Sequence, residues 1–364
     1  MALIQLVLPL QELACERCPL NIADRCEGPI TSGSIYMRGP DVIGCGDAKR
    51  IQQYLDDLRD PKFLSKQPSR HSSISPPPFI PVLPSGIPKE TQLPELKYYG
   101  VSLATILDGD TGNVRYRTAQ AIRRGLRVPE NSKLAMLGGC SDEKLNRAWS
   151  ISRDKDIWQR IADLEFDFVT SFSYSVYDFD PRSDQIINQM RNFLTYEYFC
   201  SLGIPCIPFV FFNPNSELDF KYVIEWLEDR PDVTRVAMLG QSYIHEPVFE
   251  LLLREMRMIS KALDRPIDFL IVGAGSESKL RSLAREFPTA TVTNEWPAIA
   301  GLNGCRILPG LKEERVPKED VNKAELVRSN IQQFRWSYAE IRRSYASNQS
   351  RSAASSKLDF ISPS

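Results

Sequence analysis

Histidine is nearly absent: His71 and His245 are the only two in 364 residues. Barrel metallohydrolases hold their ion with several imidazoles, so a histidine-built metal centre is excluded. A Ser-His-Asp site would want a nucleophile elbow of the G-x-S-x-G kind, and the chain has none. Long apolar runs are missing too. No stretch reaches the roughly 18 residues a membrane span needs. The opening MALIQLVLPLQELACERC lacks a basic start and is broken by Gln5, Gln11 and Glu12, which argues against a secretory leader. Nor is there an excess of either charge. Forty-five Lys and Arg against 46 Asp and Glu leave a net charge of −1, so any nucleic-acid binding must come from local patches.

What is present divides the chain into unequal parts. Residues 1–65 hold four of the eight cysteines: Cys15, Cys18, Cys26 and Cys45. Four thiolates within one short module suit structural zinc first, with a [4Fe–4S] cluster as the alternative. The other four are scattered singly, unlike a secreted disulfide framework, and this points to the cytoplasm. Residues 66–97 carry Pro68, Pro76, Pro77, Pro78, Pro81, Pro84, Pro88 and Pro94, a density that predicts an extended linker without central strand.

From residue 98 to 312 apolar runs alternate with helical patterns. Strands are expected at 99–107, 134–137, 166–172, 207–212, 233–239, 267–272 and 290–293, with an eighth at 305–308. The runs are continuously apolar, as in a sheet covered on both faces. The expected fold is therefore α/β: a (β/α)8 TIM-like barrel preceded by the cysteine-rich metal-binding module. A doubly wound open sheet is the alternative. A helix is expected over 313–346 and a serine-rich, disordered tail over 347–364.

In a barrel, the residues just after each strand share one opening. By this rule the mouth receives Asp108 and Asp110, then Gly138, Gly139 and Cys140, then the stretch Ser171–Asp180 with Tyr174, Tyr177 and Asp178. Gln241, Gly273, Gly275, Asn294 and Glu295 follow from later strands. Lysine at strand ends is lacking, which removes Schiff-base chemistry. Carboxylate chemistry at a glycosidic carbon remains, with Asp108, Asp110, Asp178 and Glu295 as catalytic candidates. Tyr174 or Tyr177 would stack on a flat ring, and Gln241, Asn294 and the Gly138/Gly139 backbone would read its edge. Gly273 and Gly275 in GAGSES open a helix and are candidate phosphate contacts. Arg115, Arg117, Arg123 and Arg124 form a basic stretch suited to nucleic-acid phosphates, or to a salt-bridged solvent face.

Two resemblances follow from these residues. The segment VTSFSYSVYDFDPRSDQIINQMRNF, continued by GIPCIPFVFF, resembles an uncharacterised domain family carried by phages and mobile elements. Ser171-Phe172-Ser173 stands where that family places an acid. More remotely, the βα series, acid-rich mouth and cysteine site are similar to the tRNA-guanine transglycosylase superfamily. That resemblance implies a barrel aspartate acting at the sugar C1′, with Asp178 or Asp108 in that role, and a structural zinc. In that superfamily the zinc site is late in the chain, whereas here the cysteines come first. The expected function is a base-directed glycosylase or transglycosylase on DNA or RNA, with a place in phage or mobile-element conflict. A non-catalytic nucleic-acid-binding accessory protein and an iron–sulfur enzyme are the alternatives.

Overall fold

The structure is a computed structural model that describes residues 18–22, 26, 48–58, 74–176, 181–241, 243 and 246–358. Two helices, α1 (Pro19–Ile22) and α2 (Ala48–Leu58), precede eight parallel strands: β1 (Phe79–Leu83), β2 (Tyr98–Ser102), β3 (Lys133–Leu137), β4 (Phe168–Thr170), β5 (Cys206–Ile207), β6 (Arg235–Leu239), β7 (Asp268–Val272) and β8 (Thr291–Asn294). The sheet runs β5-β4-β3-β2-β1-β8-β7-β6. A parallel bridge from Phe209, just past β5, to Ala237 of β6 brings the two ends together. The architecture is an α/β fold with a nearly closed eight-stranded parallel barrel, as in TIM barrels.

Helices fill the crossovers. A short α3 (Leu103–Ile106) and then α4 (Ala119–Leu126) follow β2, while α5 (Asp142–Lys155) and α6 (Ile157–Ala162) follow β3. Next come α7 (Arg182–Ser201), α8 (Glu217–Glu228), α9 (Glu246–Ala262), α10 (Glu277–Glu286) and α11 (Trp296–Leu302), one after each remaining strand. The last helix, α12 (Lys323–Leu358), covers the β1 side, where the Phe334 ring packs tilted against Phe79 with centroids 4.6 Å apart. It extends into the stretch 347–358, and residues 359–364 of the expected tail lie outside the described residues.

Alternation along the strands sorts the core into two layers. Ile80, Val82, Tyr98, Ala135, Leu137, Phe168, Ile207, Phe209, Ala237, Leu239, Leu270 and Val272 face inward and fill the barrel. Their neighbours, such as Leu83, Tyr99, Met136, Val169 and Ile271, pack outward in the shell that the helices cover.

The first strand comes from the proline-rich stretch expected to be linker. Pro81 is tolerated because the β1–β2 ladder registers only Val82↔Gly100 and Leu83↔Val101, so the missing N–H falls at its edge. The expected strand at 305–308 is not in the barrel. β9 (Cys305–Leu308) pairs antiparallel with β10 (Lys312–Arg315), and only Ile307 of its four residues is buried. A barrel strand must bury both faces, and Arg306 cannot.

The N-terminal helices dock on the barrel exterior. Cys18, Leu20, Ile51, Leu55 and Leu58 form one apolar cluster with Ile186, Ile187 and Leu194 of α7, and Cys26 packs against it. Cys15 and Cys45 lie outside the described residues, and among the described residues no group of three or more metal-ligating side chains converges. The metal-binding character of this module is therefore not shown. No helix among the described residues is long and apolar enough to cross a membrane.

Candidate functional site

A cavity of about 530 Å³ opens at the C-terminal ends of the strands. Its floor is the last inward layer: Val82, Leu137, Leu239, Val272 and Thr293. Its walls include Ser102, Gly139, Cys140, Asp142, Ser173, Ser175, Gln241, Gly273, Asn294 and Glu295. No lysine or arginine lines it among the described residues. A polar-walled, apolar-floored cleft of this size is an ordinary small-molecule site.

Glu295 follows β8 and occupies the N-cap position of α11, yet its carboxyl makes no capping hydrogen bond. Burial pushes its pKa above the usual glutamate value, with no partner to offset the desolvation. Asp142 reaches the cavity from the first turn of α5, where a negative charge is favoured, and accepts the Ser175 N–H at 3.1 Å. Two carboxylates in contrasting surroundings thus share one mouth. Burial also pushes up the Cys140 thiol, which disfavours the nucleophilic thiolate. The Thr293 hydroxyl is fully buried beneath the cavity without a hydrogen-bond partner.

Gln241, Asn294, Glu295, Gly139 and Gly273 are brought together as expected. Asn294, however, is occupied: its Nδ2 donates to Ala274 O at 2.7 Å and its Oδ1 accepts Trp296 N–H at 2.7 Å. It holds the β8 loop rather than offering a free edge. The Gly138 N–H donates to Thr170 Oγ1 at 2.6 Å, and a Cβ at Gly138 would sit 1.9 Å from Ser171 O. That glycine serves the approach of β3 and β4.

Other candidates lie elsewhere. The chain turns through α3 after β2, and this carries Asp108 and Asp110 out of the cavity lining. Asp108 Oδ1 instead accepts Thr111 N–H, Thr111 Oγ1 and Asp110 N–H at 2.8, 2.9 and 3.1 Å. These bonds, first those from Thr111, hold its carboxyl below the usual aspartate range, and Arg115 adds to them. Tyr174 is fully buried, with its hydroxyl donating to Leu145 O at 3.1 Å, so it cannot stack on a ligand in the mouth. Tyr177, Asp178 and Asp180 lie outside the described residues.

The basic stretch does not face the cavity either. Arg115 pairs with Asp108, while Arg117 and Arg124 are exposed. Arg123 donates to Pro129 O and Ser132 O at 3.2 and 2.6 Å, bracing the entry to β3 at the opposite end of the barrel. In GAGSES, the Gly273 N–H belongs to the barrel ladder, donating to Thr293 O at 2.8 Å. A Cβ on Gly275 would meet Asn294 Nδ2 at 2.7 Å, and Glu277 places a negative charge in the first turn of α10, where a phosphate would bind. These glycines answer to packing. Arg182, at the start of α7, forms a buried two-pronged pair with Asp219, one arm at 2.7 Å.

Sequence reasoning missed Asp142, Thr293 and Ser102. A signal existed for Asp142: Ser141-Asp142-Glu143 follows a strand and two glycines, a helix-start pattern that places an acid beside the mouth.

No family model matches the chain and no curated protein matches it. Among solved structures, one match is the carboxyl transferase domain of Rhizobium etli pyruvate carboxylase with 3-bromopyruvate. It has 13% identity and a TM-score of 0.32, over 62% of this chain and 36% of that one. The complete multifunctional pyruvate carboxylase of Rhizobium etli matches at 11% identity and a TM-score of 0.33, over 84% and 33%. The same domain with 3-hydroxypyruvate matches at 13% identity and a TM-score of 0.31, over 80% and 58%. The chain thus spans a third to rather more than half of these structures' lengths. The resemblances to the tRNA-guanine transglycosylase superfamily and to the phage family are overturned: no family model or curated protein supports either, and the three structures named are pyruvate carboxylases.

Proposed function

We propose that the barrel is a hydrolase of N-glycosidic bonds in a small, nucleoside-sized substrate, working by carboxylate acid–base chemistry. The observation that carries this reading is the pair Glu295 and Asp142 in one cavity with no lining cation among the described residues. Glu295, desolvated and holding its proton to higher pH, is suited to protonate the departing group. Asp142, at a helix N-terminus with a backbone N–H donor, is suited to stabilise the oxocarbenium-like centre or to activate water. Gln241 would contact the polar edge of the leaving group. A free small molecule is favoured over DNA or RNA because none of Arg115, Arg117, Arg123 and Arg124 lines the cavity.

A metal in the N-terminal module belongs to the same proposal. Two of its four cysteines, Cys18 and Cys26, share one apolar cluster, and a thiolate set suits zinc in a purely structural role.

The test is release of free base or sugar from a panel of nucleosides and other N-glycosides by the full chain. Glu295→Gln and Asp142→Asn should each lower turnover by about 10²–10⁴-fold while leaving substrate binding. No release across the panel, or an unimpaired Glu295→Gln variant, would sink the reading.

A further inference from the structure

Barrels of this kind hold phosphates with the loops after the last strands and with helix N-termini, where free N–H groups and the helix dipole favour an anion. In this chain the corresponding places carry acids of its own. The helices after β3, β4, β5 and β7 have Asp142, Asp184, Glu217 and Glu277 in their first turns. After β8, Glu295 holds the N-cap position of α11.

The lining of the mouth has the same sign. Asp142 and Glu295 are in the wall, and no lysine or arginine is, among the described residues. The undescribed residues of the loops after β4 and β6 are Tyr177, Asp178, Phe179, Asp180, Ser242, Ile244 and His245, again without lysine or arginine. Lys144 acts through space on the thiol of Cys140, a wall residue. Its own side chain runs toward Gly109, where a Cβ would come within 3.1 Å of Lys144 Cε, and it does not line the cavity. Glu295 makes no capping hydrogen bond, and burial alone acts on its carboxyl, so no cation among the described residues neutralises it. Size would not keep a phosphate out, because about 530 Å³ is ample for a small phosphorylated ligand.

We propose that the mouth selects its substrate by charge, accepting N-glycosides with an unphosphorylated sugar and refusing their phosphate monoesters, an inference that rests on the glycosidic reading of the same cavity. A phosphate monoester brings roughly −1.5 to −2 charge at pH 7. Inside the mouth it would face carboxylates, with no counter-charge and no vacant helix N-terminus to replace its water. The same field favours a ligand that carries positive charge at the sugar ring, as the oxocarbenium-like centre does.

The test is calorimetric titration of the full chain with three ligands that carry no base: 1,4-dideoxy-1,4-iminoribitol, its 5-phosphate, and its 5-sulfamate ester, which has nearly the shape of the phosphate without its charge. The iminoribitol should bind at one saturable site, the sulfamate within severalfold of it, and the phosphate at least about a hundredfold more weakly. Gln241→Lys puts a cation on the wall at an exposed side chain and should strengthen phosphate binding at least about tenfold. The ligand series on the parent keeps the test valid if that variant fails to fold. Binding of the phosphate as tight as the iminoribitol, exclusion of the sulfamate as strong as that of the phosphate, or no binding of any of the three would each overturn the proposal. The predicted order of binding without hydrolysis of any N-glycoside would sink the hydrolase reading and leave the charge selection standing. Hydrolysis of nucleoside 5′-monophosphates as fast as nucleosides would do the reverse.

Discussion

Removing the Asp219 carboxylate should unfold the protein far more readily than removing any surface charge. Arg182 and Asp219 are joined by two bonds, and their side chains are 2% and 6% exposed. Asp219 also accepts the Asn213 N–H at 3.4 Å, and Arg182 donates to Gln185 Oε1 at 3.1 Å. In Asp219→Ala the buried guanidinium loses this carboxylate, and breaking such a buried pair from one side costs roughly 3–5 kcal/mol. At about 2 °C per kcal/mol for a chain of this length, the melting temperature should fall by roughly 6–10 °C. The double replacement Arg182→Met with Asp219→Leu removes both charges together and should recover most of that loss, because a desolvated pair scarcely exceeds well-packed apolar groups in stability. Paired thermal melts followed by circular dichroism measure both effects. An Asp219→Ala protein melting within about 1 °C of the parent, the range of ordinary surface changes, would refute the reasoning.

The same melts can test Glu295. Burial raises its pKa in the folded state, so the folded protein holds this proton more tightly than the unfolded chain. The stability this contributes is complete below the unfolded value and is lost as pH rises through the folded one. Relative to Glu295→Gln, the parent should therefore lose stability as pH rises from the usual glutamate value of 4.5, and a pH-independent difference would contradict this. Gly138→Ala should be strongly destabilising because the new Cβ would sit 1.9 Å from the Ser171 carbonyl oxygen, which is backbone and cannot swing away. Gly139→Ala, whose new Cβ would meet nothing within 4 Å, should express and melt like the parent. Equal behaviour of the two variants would show that β3 and β4 have room to separate at this point.

Much of the barrel was legible in the residues. The runs ending at Leu137, Leu239 and Val272 are apolar and buried over their last four residues, and burial on both faces is what makes such runs stable as strands, so alternation with helices already implied a covered parallel sheet. The strand–helix–strand unit from Phe168 to Ile207 came from the same logic, with Gly203 at φ +76 after α7 providing the turn.

What local pattern could not supply was closure. Phe79–Leu83 looks like linker because proline density is a local property, whereas the harmlessness of Pro81 depends on where the ladder with β2 begins. Cys305–Leu308 has the strand character but not the burial, and only the path of the chain revealed that the barrel was already complete. The site divides in the same way. Glu295 follows its strand directly and could be placed from sequence, while Asp108 is carried aside by α3 and Asp142 is brought in by the start of α5. The sequence alone determined that apolar parallel strands alternate with helices in an α/β fold, because this depends on composition and periodicity. Only the tertiary structure decided which acids meet, since a side chain's direction beyond a strand end is set by the loop's route and by the neighbours that consume its hydrogen bonds.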